Sequence, residues 1–267
     1  ALAVSPAYAA DRTLLAGTQG QGVFKSVDDG DTWQASGLIT RSIYSLAISP
    51  AYASDRTIYA GTREGVFKSA DGGATWSPSA SGMPAVPVIS LAISPGYGSD
   101  HTLFAGTRGQ GVYTSTDGGA SWHPRSRGIH NIYVQALARS PNYGSDHTIL
   151  AGSRHNGVYR SSDGGFTWAP SSSGLTTLDV KGLAISPAYA SDHTALAATD
   201  GGGVFRSADG GMTWNPSNSG LSSYSLQAVA VSPAFASDRT AFVSAYGGRV
   251  YKSSDGGSSW SETSSGL

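Results

Sequence analysis

Carboxylates are the side chains of this 267-residue sequence best suited to chemistry, and most of them stand in repeated strings. Asp28, Asp71, Asp117, Asp163, Asp209 and Asp255 each lie in Ser-x-Asp-x-Gly-x-Thr/Ser-Trp, which ends on Trp33, Trp76, Trp122, Trp168, Trp214 and Trp260. Asp11, Asp55, Asp100, Asp146, Asp192 and Asp238 each open an Asp-x-Thr triplet. Aspartate close to glycine suits a hairpin turn, where the carboxylate accepts bonds from turn amides and glycine supplies positive φ. Calcium is the competing chemistry, but one carboxylate per turn falls far short of the ~6–8 oxygens that ion takes. A structural role is therefore expected, with no metal site and no cofactor.

What remains is thin for catalysis. Outside the repeated positions of the two strings stand Asp31, Asp179, Asp200, Glu64 and Glu262, with Asp29 an extra carboxylate in the first turn. Glycoside hydrolysis needs two carboxylates facing each other across roughly 5–9.5 Å. Glu64 sits in a tight hairpin and Glu262 follows the last tryptophan string. His101, His147 and His193 fill the slot held elsewhere by Arg12, Arg56 and Arg239, each in a separate copy, while His123, His130 and His155 are isolated. No Ser-His-Asp set, phosphate-cradling loop or dinucleotide fingerprint is found, and the Gly-Gly pairs read as turn chemistry. The expectation is a protein that is not an enzyme.

Composition narrows the partners. A formal charge of −1 gives no electrostatic case for nucleic acid or an anionic membrane. No apolar run approaches the ~20 residues that span a bilayer, and the absence of cysteine excludes disulfides and thiolate metal sites. The opening Leu2-Ala-Val-Ser-Pro-Ala-Tyr-Ala has a faint leader-like look. It recurs from Leu46 and Leu183, so it belongs to the repeat.

The tryptophans are spaced 43, 46, 46, 46 and 46 residues apart, and the Ser-Pro pairs and Asp-x-Thr triplets keep nearly the same step. Each copy holds four short β-type runs; in the second they read as Ile43–Ser49, Thr57–Thr62, Gly65–Ser69 and Thr75–Ser77. No window carries a helical apolar period long enough to matter. Four strands per ~45 residues is the blade of a propeller. The expected fold is all-β: one domain over 1–267, a six-bladed β-propeller with four antiparallel strands per blade. The repeats run approximately 1–38, 39–83, 84–129, 130–175, 176–221 and 222–267.

The tryptophan string resembles the Asp-box, or bacterial neuraminidase, repeat, and the resemblance covers the whole chain. The box also occurs in sialidases, xyloglucan-cleaving glycosidases, the sortilin ectodomain and the photosystem II assembly-factor propeller. The resemblance implies a box between the third and fourth strands of each blade. For a sialidase it further implies an arginine triad, a tyrosine–glutamate nucleophile pair, an acidic acid/base and a Phe-Arg-Ile-Pro motif. Two glutamates in all and no such motif make glycoside hydrolysis the weaker alternative.

In a four-stranded meander, loops 1–2 and 3–4 emerge on one face and loops 2–3 and 4–1 on the other. Here the first pair is nearly uniform among the copies, whereas the second pair varies. Loops held on a rigid scaffold commonly carry recognition. The expected site is therefore Arg63, Arg108, Arg154, Tyr44, Tyr133 and Tyr246 on the variable face, taking a glycan or a protein surface. A structural or display role without ligand, engineered or recently amplified, is the alternative. A monomer in an extracellular or cell-surface setting is expected. Arg139 stands where other copies place Val4, Ile48, Ile93, Ile185 and Val231, and is expected to reach past the apolar slot to solvent. Aligning Pro6 with Pro233 starts the chain inside a first strand. The expectation is then that closure rests on packing of the first blade against the sixth, as for an excised domain or part of a longer array.

Overall fold

The computed structural model describes residues 1–130 and 133–264. The four runs of the second copy form strands Ile43–Ile48, Ile58–Thr62, Gly65–Ser69 and Ser77–Pro78. The same meander occurs six times, each sheet ordered as its strands follow in sequence and every pairing antiparallel. The second strands of the second to fifth blades are buried on both faces. This explains why they read as unbroken apolar and small residues, as in Ile58-Tyr-Ala-Gly-Thr62, and not as an alternation.

Two details depart from expectation. The fourth strand follows the tryptophan and does not include it, because Asp71 holds Thr75 inside the turn by three hydrogen bonds. The loop between strands one and two contains a single helical turn, Tyr52–Asp55 in the second blade and its counterpart in all six. Ser49 Oγ donates to the Asp55 carboxylate and accepts from the Ala51 amide, while Asp55 accepts the Thr57 amide. One turn of four residues is too short to show a helical period. Its C-terminal residue is left-handed in every copy, with φ from 47° to 52° at Arg12, Arg56, His101, His147, His193 and Arg239. The shared Arg/His slot is thus a helix cap.

The chain divides into two compact units, Ala1–Arg125 and Ser126–Leu267, with three blades in each. Within each unit successive blades meet through one repeated set of contacts. Within each unit, Trp76, Trp122, Trp214 and Trp260 each reach back to the blade before their own. Trp76 Nε1 donates to the Ser36 carbonyl at 2.7 Å and Trp122 to that of Ser79 at 2.6 Å. In the second unit Trp214 reaches Ser171 O and Trp260 reaches Ser217 O, both at 2.8 Å. A third-strand cation points the other way. Lys25, Lys68, Arg160 and Arg206 donate to the carbonyls of Gly72, Gly118, Gly210 and Gly256 of the next blade at 3.0–3.2 Å. Burying a tryptophan's ~150–250 Å² contributes roughly 4–6 kcal/mol as an upper bound.

Candidate functional site

The six turn aspartates are saturated locally. Asp71 accepts from the Ser69 hydroxyl at 2.7 Å and from the Thr75 amide and hydroxyl. Asp28 makes the same set, and the Thr32 hydroxyl, the Thr32 amide and the Ser26 hydroxyl lower its pKa to about 2. Their lone pairs are committed to holding the turn.

Between the fourth and fifth blades a cavity of about 560 Å³ opens on the uniform-loop face, lined by Asp146, Arg160, Tyr189, His193 and Asp209 among others. Its polar groups serve the junction. Arg160 Nε and Tyr189 Oη both donate to the Gly210 carbonyl, and the two aspartates hold their own turns.

The variable face is organised differently. In each of blades two to six the first strand carries a β-bulge, which leaves Tyr44, Ile89, Gln135, Lys181 and Gln227 without a partner opposite. A bulge bends the strand and re-aims the extra side chain. All five residues are half-buried and no two adjacent blades share a residue type at this position. The first residue of loop 2–3 then ties back to the residue entering the first strand. The amides of Arg108, Arg154, Asp200 and Tyr246 donate to the carbonyls of Pro87, Tyr133, Asp179 and Ser225 at 2.9–3.0 Å. Loops 2–3 and 4–1 are in this way pinned beside the bulge.

In the second unit this arrangement gathers a polar network. Lys181 Nζ lies 3.1 Å from Asp179 Oδ2 and 3.7 Å from Asp200 Oδ2. Gln135 from the preceding blade donates to Asp179 Oδ1 at 2.5 Å and accepts from Lys181 at 3.3 Å. Lys181 and Asp179 retain only 17% and 16% of their side-chain exposure, so the charges are held with little solvent screening. Asp179 and Asp200 stood out in the sequence only as carboxylates outside the repeated strings. Gln135 and Lys181 gave no signal beyond sharing a slot at the 46-residue step.

Of the residues expected from sequence, Tyr133 and Arg154 are joined by the backbone hydrogen bond above, and Tyr133 lies two residues from Gln135. Tyr44 is the bulge residue of the second blade, where the neighbouring loops are tied by an Arg41–Glu64 ion pair beside Arg63. Arg63, Arg108, Arg154, Tyr133 and Tyr246 are all exposed. Tyr44, Arg63 and Arg108 belong to the first unit, and Tyr133, Arg154 and Tyr246 to the second. Asn131 and Ile132 of the fourth copy's variable loop lie outside the described residues. Arg139 is half-buried, and its Nη1 donates to the Ser140 carbonyl at 3.3 Å.

Six four-stranded antiparallel blades, with loop variation confined to one edge of each, define a six-bladed β-propeller. The chain belongs to the DUF6242 β-propeller domain family, which matches residues 1–200. No curated protein matches it. Among solved structures it is similar to an ancestral GH74 enzyme (19% identity, TM-score 0.74, covering 94% of this chain and 36% of that one). It is also similar to the GH74 xyloglucanase of Xanthomonas campestris (20%, 0.72, covering 95% and 44%). A third similar structure is YCF48 bound to D1 peptide (17%, 0.65, covering 94% and 78%). The chain thus spans less than half the length of either GH74 enzyme, and at these identities the likeness is one of fold.

Proposed function

We propose that this propeller is a non-catalytic binding module that takes a protein segment on its variable face. In the second unit the contacts come from Tyr133, Arg154, Gln135, Asp179, Lys181 and Asp200. The observation that carries this reading is the bulge row. Adjacent copies differ at the residue each strand re-aims, and in the fourth and fifth blades those residues meet in one charged network. Exposed Tyr133 and Arg154 beside that network match the side chains enriched where protein surfaces meet. Against hydrolysis, Asp179 and Asp200 both face Lys181, and the turn aspartates are committed to their own amides. A similar fold has been solved with a bound peptide, which supports peptide recognition by analogy of fold alone. The Asp-box relationship belongs to the same reading, supported by the identical turn bonding in every copy.

The test is a peptide array and a glycan array probed with the wild-type chain, followed by titration of hits. Tyr133→Ala, Arg154→Ala and Lys181→Met are each expected to weaken a peptide hit by roughly tenfold or more, as truncated anchors do. Peptide binding that survives the triple substitution would sink the site, and hits confined to glycans would sink the partner class.

A further inference from the structure

The Lys181 network holds one carboxylate less firmly than the other. Lys181 makes its closer contact, at 3.1 Å, with Asp179, which also accepts the Gln135 side-chain amide at 2.5 Å. Asp200 Oδ2 stands 3.7 Å from the same ammonium, beyond hydrogen-bond distance. Among the described residues the Asp200 carboxylate accepts no hydrogen bond and meets no second cation. Two carboxylates thus share one ammonium, and with only 16%, 17% and 32% of the three side chains exposed, water screens the excess negative charge poorly. Asp200 is the outermost of the three and opens a loop whose next residue, Gly201, would carry a Cβ into open space. Large apolar side chains flank this carboxylate pair. Leu178, 40% exposed, precedes Asp179, and its carbonyl accepts the Gly157 amide of the fourth blade at 2.8 Å. Tyr224, 50% exposed, holds the same position in the sixth blade, and its carbonyl accepts the amides of Gly201 and Gly203 at 2.9 Å. All of these residues surround the fifth blade, whose neighbours on both sides belong to the same unit.

Building on the peptide-binding reading above, we infer that the bound segment presents one basic side chain, with its cationic head on Asp200 and its aliphatic stem against Tyr224. Arginine and lysine alone join an apolar stem to a fixed positive charge, and that is the pairing this surface complements. A carboxylate that shares its only counter-ion gains from a second cation, and the charge-assisted bond so formed is of the stronger kind. The Tyr224 ring, anchored beside the loop that Asp200 opens, supplies both an apolar wall and a face attractive to a cation. Lys181 then acts as a positioning residue, keeping Asp179 and Asp200 side by side against their mutual repulsion. Arg154 occupies in the fourth blade the position that Asp200 has in the fifth. The edge therefore changes sign from one blade to the next, which suits a single basic residue and not a basic run.

The test is an array of short peptides printed as matched triplets that differ only at one central residue, Arg, Gln or Glu. The Arg member is expected to retain the wild-type chain best and the Glu member least. Titration of the strongest triplet should give a gap of roughly tenfold between Arg and Gln, the size of one charge-assisted hydrogen bond. High salt should narrow that gap. Asp200→Asn should close it, and Asp200→Lys should make the Glu member the tightest. Tyr224→Ala keeps the carbonyl that accepts from Gly201 and Gly203, so it should weaken the Arg member more than the Glu member without moving the thermal midpoint. Oligo-arginine, the control for bulk charge, should bind no more tightly than the single-Arg member. Equal retention of all three members by the wild-type chain overturns the basic-residue assignment and leaves peptide recognition standing, whereas an array that retains nothing overturns both. An Arg preference that survives Asp200→Asn, or much tighter binding of oligo-arginine, also overturns the assignment.

Discussion

At the scale of single residues, the aspartates of this chain are structural because of what lies within four residues of them. Asp71 is held below the ordinary aspartate range by the Thr75 hydroxyl, the Thr75 amide and the Ser69 hydroxyl, and Asp28, held to about 2, has the equivalent partners. A free aspartate titrates near 3.9, so the folded turn binds fewer protons than the unfolded chain across that interval. These groups therefore contribute stability that is complete above roughly pH 4 and is lost as the pH falls towards about 2. Thermal midpoints measured from pH 7 downward should stay level to about pH 4 and then fall steeply, with a smaller fall in the Asp71→Asn variant. A midpoint that declines evenly from neutrality would contradict this assignment. The turn was legible in the sequence because its bonds are local; the Lys181 network was not, because it joins residues 44 to 46 positions apart.

At the scale of elements, the blades are joined by backbone as well as side chains, and this makes certain glycines irreplaceable. Ser173 pairs in parallel with Thr213 of the next blade, and the Trp214 amide donates to Ser173 O at 2.8 Å. Gly174 follows at φ 88°, and a Cβ there would lie 2.0 Å from the Trp214 carbonyl oxygen. That contact is with backbone, which cannot swing aside. Gly174→Ala should therefore destabilise the protein by about 2–3 kcal/mol, near the upper end for point substitutions. Gly201→Ala, equally left-handed but with open space around it, should cost less in the same denaturant titration. The sequence announced four strands per copy and a turn before the fourth. It could not announce that the tryptophan serves the preceding blade, since nothing in its own repeat marks the direction of the wedge.

At the scale of the molecule, each unit is a row of blades that touch only their neighbours in the contacts described above, so stability is close to a sum of blade and junction terms. Trp214→Ala removes the wedge between the fourth and fifth blades and should cost roughly 3–5 kcal/mol. Hydrogen exchange is expected to quicken most in the strands flanking that junction, Ile149–Ser153 and Ala195–Thr199, more than in Ala241–Ala245 of the sixth blade. Uniform acceleration across the whole unit would instead mean that the blades open together.

The sequence alone determined the repeat, the four-stranded blade and the turn chemistry, because all three rest on contacts within one copy and recur six times. It also located variability in loops 2–3 and 4–1, since antiparallel succession assigns those loops to one edge. Only the tertiary structure decided which variable residues a bulge aims together and which cations latch to which neighbouring turn. Those outcomes depend on registers between strands and on packing between blades, and a one-residue bulge is enough to redirect a side chain without leaving any trace in composition or period.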